Sequence, residues 1–420
     1  MELLILADDL TGALDTGIQF VDEGANTRVV LDPQYPLEAL DPQVQVLVID
    51  TESRHIPPAQ AADLVRSITE QAVALGVACI YKKTDSGLRG NVGAELGALL
   101  DASGSTQLHF IPAYPKTERT TVDGIHYIKG VPVADSVFGQ DPFDPVKYSR
   151  VADVLHTQTD FTVHSVGLRE MAGEQPGIQV YDAVTQEDIL NRGLELKKLG
   201  RLKVLAGCAG FASVLARLME ITGKRPPLPK AEKAFLLVCG SVNPITRTQV
   251  KQAVDSGRMV YYPLKPAQSL TPGYFATTDG AVLLDDLAEQ LKQGRQCLVD
   301  TNDIPGEEPV EAYAADRGLN LSDVRSRIPE DMGALIKGLL DRQVRTTLMV
   351  TGGDILMGFV QALGTYEITP IRELFTGTVL STVQLDGKTQ LLISKSGGFG
   401  DPDVILRLLD TLQTTTKEEK

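Results

Sequence analysis

Short unbroken apolar runs alternate with longer stretches of helical periodicity along most of the chain. LLILA (3–7) leads into an amphipathic stretch from Thr11 to Gly24. TRVVL (27–31) and VQVLVID (44–50) precede a helical stretch from Pro58 to Leu75, and VACIYKK (77–83) precedes a helix after Gly90 and then LHFIPAY (108–114). Continuous apolar runs separated by helices predict a mostly parallel sheet covered on both faces. Residues from about 115 to 175 break the pattern with many Pro, Asp and Thr and predict an excursion or small subdomain. IQVYDA (178–183), a helix over 185–199, LKVLA (202–206) and a helix from Ala209 to Ile221 restore the pattern.

The segment TGKRPPLPK (222–230) has three prolines, which break helix and strand alike, and it predicts a linker. A second α/β series follows. AFLLVCG (234–240), a helix, MVYYPL (259–264), QCLVDT (296–301), helices over about 310–342 and TTLMVTGG (346–353) come first. A further helix, GTVLSTVQL (377–385), TQLLISKSGG (389–398) and a last helix complete it, before a polar tail, TTTKEEK (414–420), expected to fray. The expected architecture is therefore two α/β domains, each with a mostly parallel sheet flanked by helices, joined by a Pro-rich linker. The boundaries fall at 1–225 and 226–420.

The 420-residue length agrees with two or three domains at roughly 150 residues each. A net charge of −15 and the lack of a Lys/Arg run disfavour nucleic acid and anionic membranes as partners, while a small anion in a locally basic pocket stays open. Four widely spaced cysteines without a CxxC pair predict apolar core residues in a reducing compartment. The apolar run at the N-terminus, about five residues, is too short for a signal peptide or membrane span, so a first strand and a cytoplasmic protein are expected.

The chemistry concentrates where predicted strands end. In LILADDLTGALDTG the adjacent carboxylates of Asp8 and Asp9 suit a hydroxyl-rich ligand, one accepting a hydrogen bond and the other a proton, although either residue alone suffices to cap the next helix. Asp50, Glu52, Ser53 and Arg54 close the third strand. YKKTDSGLRGN closes the next: Lys82, Lys83 and Arg89 offer cations for a carboxylate or phosphate, Arg89 through two parallel hydrogen bonds, and Asp85 and Ser86 serve hydroxyls.

The second half repeats one device three times. Gly240-Ser241 leads to a helix capped by Asn243 with Pro244 behind it. Gly352-Gly353 leads to a helix expected to be capped by Asp354. Gly397-Gly398-Phe399-Gly400 leads to a helix expected to be capped by Asp401 before Pro402. Glycine backbone beside a helix N-terminus at the carboxyl end of a strand favours a phosphate, though any α/β protein needs such turns. Neither the P-loop pattern nor G-x-G-x-x-G is present, and the protein-kinase elements are missing. A polyhydroxy acid and a nucleotide facing each other across a cleft would use both halves.

ADDLTGALDTG, TESR, YKKTDSGLRGNVGAE, FIPAYPKTERTTVDG, TGGD and KSGGFGD resemble the four-carbon acid sugar kinases over nearly the whole chain, closest to the D-threonate and D-erythronate branch. The resemblance implies an acid-sugar-binding first domain, an ATP-binding second domain and Mg²⁺-dependent phosphorylation of the terminal hydroxyl. Carried over by motif, Asp8, Asp9, Arg54, Lys82, Lys83, Asp85 and Arg89 bind the acid. Ser241, Gly352, Gly353, Asp354, Gly397 and Gly398 bind ATP. Asp9 or Asp85 orients or deprotonates the acceptor hydroxyl, and the metal ligands stay unassigned. Relatives often carry Thr where this chain has Gly87, so a slightly more flexible loop is expected. D-Threonate is the first substrate; D-erythronate, L-threonate, 3-oxo-tetronate, a sugar-acid dehydrogenase or lyase and a non-catalytic sensor are the alternatives, and a homo-oligomer stays open.

Overall fold

The structure is a computed structural model and describes residues 1–141 and 144–415. It divides into two compact units, Met1–Pro226 and Pro227–Lys420.

The first unit opens with β1 (Leu3–Ala7), α1 (Leu10–Val21), β2 (Thr27–Val30), β3 (Val46–Asp50), α2 (Pro58–Ala74), β4 (Cys79–Lys83), α3 (Val92–Ala102) and β5 (Gln107–Ile111). Then come β6 (Arg119–Val122), β7 (Ile125–Ile128), β8 (Val131–Pro132), α4 (Val151–His156) and β9 (Val163–Val166). β10 (Gly177–Tyr181), α5 (Gln186–Lys198), β11 (Val204–Gly207) and α6 (Ala209–Leu218) close it. Eight strands form one parallel sheet in the order β2-β3-β1-β4-β11-β5-β10-β9. Helices cover both faces, as the unbroken burial of β1, β3, β4, β5 and β10 demands.

The second unit runs through β12 (Phe235–Cys239), α7 (Pro244–Asp255), β13 (Val260–Pro263), α8 (Pro266–Ser269), α9 (Thr278–Lys292) and β14 (Gln296–Asp300). α10 (Val310–Asp316), α11 (Leu321–Asp341), β15 (Thr347–Thr351) and α12 (Gly353–Leu363) follow. β16 (Glu367–Phe375), β17 (Thr378–Leu385), β18 (Lys388–Lys395) and α13 (Val404–Thr415) complete it. β13-β14-β12-β15-β18 are parallel; β17 and β16 continue that sheet antiparallel.

The α/β class expected from the apolar runs, with mostly parallel sheets flanked by helices, is the observed one. Three local expectations differ. Within the irregular 115–175 region β6-β7-β8 form a small antiparallel sheet, but β9 is an edge strand of the main sheet. Its sequence, VHSV, is half polar because an edge strand is half solvated. β16 was not anticipated at all. Pro370 sits inside it, and Pro is tolerated there beside register shifts that release the ladder bond it lacks. The α9 helix also escaped the pattern. The polar tail is helical as far as Thr415, and the rest of it lies outside the described residues.

The four cysteines are buried free thiols. Among the described residues no helix is long and apolar enough to cross a membrane.

Candidate active site

In each sheet two neighbouring strands send the chain in opposite directions. β1 lies between β3 and β4; the chain leaves β1 through α1 toward β2 on one side and leaves β4 through α3 toward β5 on the other. β12 likewise lies between β14 and β15, with α7 and α12 diverging. Diverging loops open a crevice at the carboxyl edge. The residues singled out in the sequence stand at these two edges.

At the first edge Asp9 caps α1, its Oδ1 accepting from Gly12 N at 3.0 Å. It also meets Arg54, whose NH1 donates to Oδ2 at 3.0 Å and whose NH2 lies 2.8 Å from Oδ1. Asp8 is buried, takes a 2.8 Å bond from Arg54 Nε on Oδ2, and keeps Oδ1 without a hydrogen-bond partner. Burial opposes its ionisation, yet Arg54, Lys83 and Lys82 more than offset this and hold its carboxyl below the usual carboxylate range. Asp50, one strand away, has no such cation. Burial, then the charge of Glu52, pushes its carboxyl well above the usual range.

The structure separates the cations that the sequence grouped together. Lys82 is wholly buried; its Nζ lies 3.1 Å from Glu95 Oε2 and donates to the carbonyls of Leu6 and Lys83. Glu95 in turn accepts from Ser53 Oγ. Lys82 thus turns toward α3 and Lys83 to the other face of the sheet, because consecutive strand residues point to opposite faces. The Arg89 fork expected for a substrate anion is already engaged. Nε and NH2 bond Asp85 at 2.9 and 3.0 Å, and NH1 bonds Asp141 at 3.0 Å. Asp85 also accepts from the backbone of Gly87 and Arg89. Despite burial, Arg89 and then Arg54 hold its carboxyl well below the usual range, which makes it a poor base.

Lys83 is the exception. It is 95% buried, with 5% of its surface exposed, and its ammonium has no hydrogen bond or ion pair among the described residues. A β-carbon on Gly12 would lie 2.4 Å from Asp9 Oδ1 and 2.6 Å from Lys83 Nζ, so only glycine allows this lysine to stand beside the aspartate.

At the second edge the three glycine junctions follow β12, β15 and β18, which are adjacent strands. A β-carbon on Gly397 would lie 2.8 Å from Ser241 Oγ, and one on Gly352 3.6 Å from Ser241 N. Asn243 caps α7 through Ile245 N at 3.0 Å, with Pro244 behind it. Two expected caps differ. Gly352, at φ +102°, caps α12; because the helix begins at Gly353, Asp354 already lies in its first turn, exposed, and pairs with Arg325 at 3.2 Å. Asp401 precedes α13 by a turn and bonds Arg407 at 3.1 Å, while the helix itself begins at Val404. Gly353 opens α12, and Gly398 is exposed.

The sequence reading passed over Lys395, at the end of β18. It is buried, and its Nζ lies 2.9 Å from Ser396 O and 3.4 Å from Thr246 Oγ1. Its strand neighbours Thr351 and Thr378 each keep a buried hydroxyl without a partner. Burial, slightly opposed by Cys239, lowers its ammonium to about 8. The signal was available: a lysine directly before a glycine loop at a strand end. Among the described residues no three His, Cys, Asp or Glu side chains converge to hold a metal ion.

Comparison with known proteins agrees with two unlike sites. A sequence family described as a sugar-binding N-terminal domain matches residues 3–215, and one described as a nucleotide-binding C-terminal domain matches residues 236–405. A D-threonate kinase of Salmonella typhimurium is 29% identical over 96% of this chain and 97% of its own. A D-erythronate kinase of Heliobacterium modesticaldum is 27% identical over 99% and 98%. A crystal structure from Salmonella typhimurium LT2 superposes with a TM-score of 0.79 at 21% identity, covering 97% of this chain and 98% of the other; that likeness is one of fold.

Proposed function

The chain belongs to the four-carbon acid sugar kinase family, and from that premise we propose that it phosphorylates the 4-hydroxyl of D-threonate with ATP. That it is a sugar-acid kinase follows from the kinases it matches over nearly its whole length. The choice of acid, of hydroxyl and of residue roles is our reading.

One observation carries it: Arg54, Arg89 and Lys82 each pair with a carboxylate at this edge, whereas Lys83, whose charge also acts on Asp8, has no ion pair of its own among the described residues. An ammonium at a strand end with no hydrogen bond or ion pair of its own is open to a substrate carboxylate. In this reading Lys83 takes the carboxylate of the acid. Asp8 Oδ1, ionised and unpartnered, accepts from a hydroxyl. Asp9 orients the acceptor hydroxyl and takes its proton. Asp85, which the sequence left level with Asp9, serves instead to fix Arg89.

On the nucleotide side the amides around Ser241, Gly352, Gly353, Gly397 and Gly398 cradle phosphates, with Lys395 beside them as the cation. Asp354 stands at the rim, exposed and paired with Arg325. The chain carries no metal cage of its own among the described residues. Mg²⁺ commonly rides on nucleotide phosphates with one or two carboxylates.

The test is phosphotransfer with purified protein, ATP and a panel of C4 acids, D-threonate, D-erythronate, L-threonate and 3-oxo-tetronate among them. Turnover is expected to be fastest with D-threonate. A different preferred C4 acid overturns the substrate choice alone; no turnover of any of them overturns the whole reading.

Lys395 makes a separate prediction. Its ammonium loses its proton near pH 8, because burial favours the neutral amine. kcat/KM for ATP reports the free enzyme and should fall with rising pH above about 8. Lys395→Arg, charged at every accessible pH, should remove the decline. A wild-type profile that stays flat well above pH 8 would take Lys395 out of the site.

A further inference from the structure

The loop after β4 is held from outside by one aromatic ring. Phe138 lies in the segment between β8 and α4, partly buried against the first unit's core. Its ring occupies the space where a side chain at position 87 would stand: a β-carbon on Gly87 would come within 2.6–2.7 Å of three ring carbons. Two guanidiniums lie over the same ring, Arg89 with Cζ 5.0 Å and Arg119 with Cζ 5.1 Å from the centroid. Both reach the loop as well, Arg89 through Asp85 and Arg119 through Ser86 Oγ.

The ring is itself firmly placed. Phe138 N donates to Ser136 Oγ at 3.2 Å, and Phe138 O accepts from Val146 N at 3.0 Å. Gly139 follows in a turn so tight that a β-carbon there would meet Ala134 O at 1.8 Å.

We propose that Phe138 is a positioning residue for the sugar-acid site, its ring standing in for the side chain that Gly87 lacks and keeping Arg89 and Arg119 against the loop that carries Asp85. This rests on the reading of that crevice as the acid-binding site. The physical logic is electrostatic. Two like charges near one another are tolerated because the ring's face attracts each of them and Asp85 neutralises part of the sum. Without the ring, Arg89 and Arg119 repel, the Arg89 fork loosens from Asp85, and a carboxylate held then by backbone amides and Arg54 alone carries more of its charge two residues from Lys83. An anionic substrate then binds less well, whereas the nucleotide is unaffected.

Phe138→Ala should raise KM for the C4 acid by about tenfold, the loss of two cation–π contacts, with kcat and KM for ATP within about twofold of wild type. Phe138→Tyr, which keeps the ring, should restore KM; Phe138→Leu, which keeps bulk without a π face, should not. Gly87→Thr should displace the ring and give the same KM defect, and adding it to Phe138→Ala should cost nothing further. Equal changes in kcat and in both KM values, rescue by leucine, or multiplying defects in the double variant would overturn the proposal.

The steric half is read without substrate, in thermal melts of the four proteins of the cycle. Gly87→Thr and Phe138→Ala should each lower the melting temperature, and together by less than the sum. Additive shifts overturn the pairing even if the wild type phosphorylates no C4 acid, a result that by itself would sink only the functional reading.

Discussion

Asp9→Asn should lower kcat by about 10²–10⁴-fold, the range that a positioned general base contributes, and leave ATP affinity unchanged. The substitution keeps the helix cap but turns Oδ2, which accepts from Arg54 NH1 at 3.0 Å, into a donor, so Arg54 must shift. Asn caps a helix as well as Asp does, so the bond to Gly12 N and the start of α1 survive. Arg54 keeps Asp8 at 2.8 Å and has Asp85 at 3.9 Å, so no buried guanidinium is stranded. What else changes is the charge and basicity at one atom pair beside Lys83. Steady-state kinetics with the C4 acid, together with calorimetry of ATP binding, gives the two numbers. Asp85→Asn is the comparison: its carboxyl, held down by Arg89, is a weak base, so its loss should appear in KM for the acid more than in kcat. Asp9→Asn retaining kcat within about tenfold would reassign the base.

Gly398→Val should weaken ATP binding by about a hundredfold, as expected for one or two lost bonds to charged phosphate, with the melting temperature of the free protein unchanged. The neighbouring glycines would confuse the result. A side chain at 397 runs into Ser241 Oγ at 2.8 Å, and one at 352 must adopt φ +102°. At 398 the nearest atom to an added β-carbon is Asn243 Nδ2, 3.9 Å away, and the residue is exposed. Any loss of affinity there comes from the ligand's approach to the backbone and not from a disturbed fold. A variant that binds ATP as tightly as wild type would show that no phosphate approaches this loop.

The expectation that Gly87 loosens its loop illustrates the limit of reading residues singly. Glycine does widen the backbone's choices in an unfolded chain. In the folded one the vacant space is filled by Phe138, fifty-one positions along the chain and in a segment that looked merely irregular. Lys82 and Lys83 teach the same lesson. Adjacent and chemically alike, they are divided by the pleat of β4: one turns inward to Glu95, the other stands by Asp9.

By itself the sequence determined what depends on short range. Unbroken apolar runs required strands buried on both faces, Asp9 and Asn243-Pro244 started helices, and polar residues gathered where strands end. It could not determine β9 or β16, whose half-polar or proline-bearing runs become strands only because a sheet edge is there to accept them. Nor could it determine the state of the charges. Which cation is neutralised, which carboxyl is held ionised and which is pushed to protonate depend on separations of a few ångströms between residues tens of positions apart, and Coulomb energy and desolvation are functions of those separations alone.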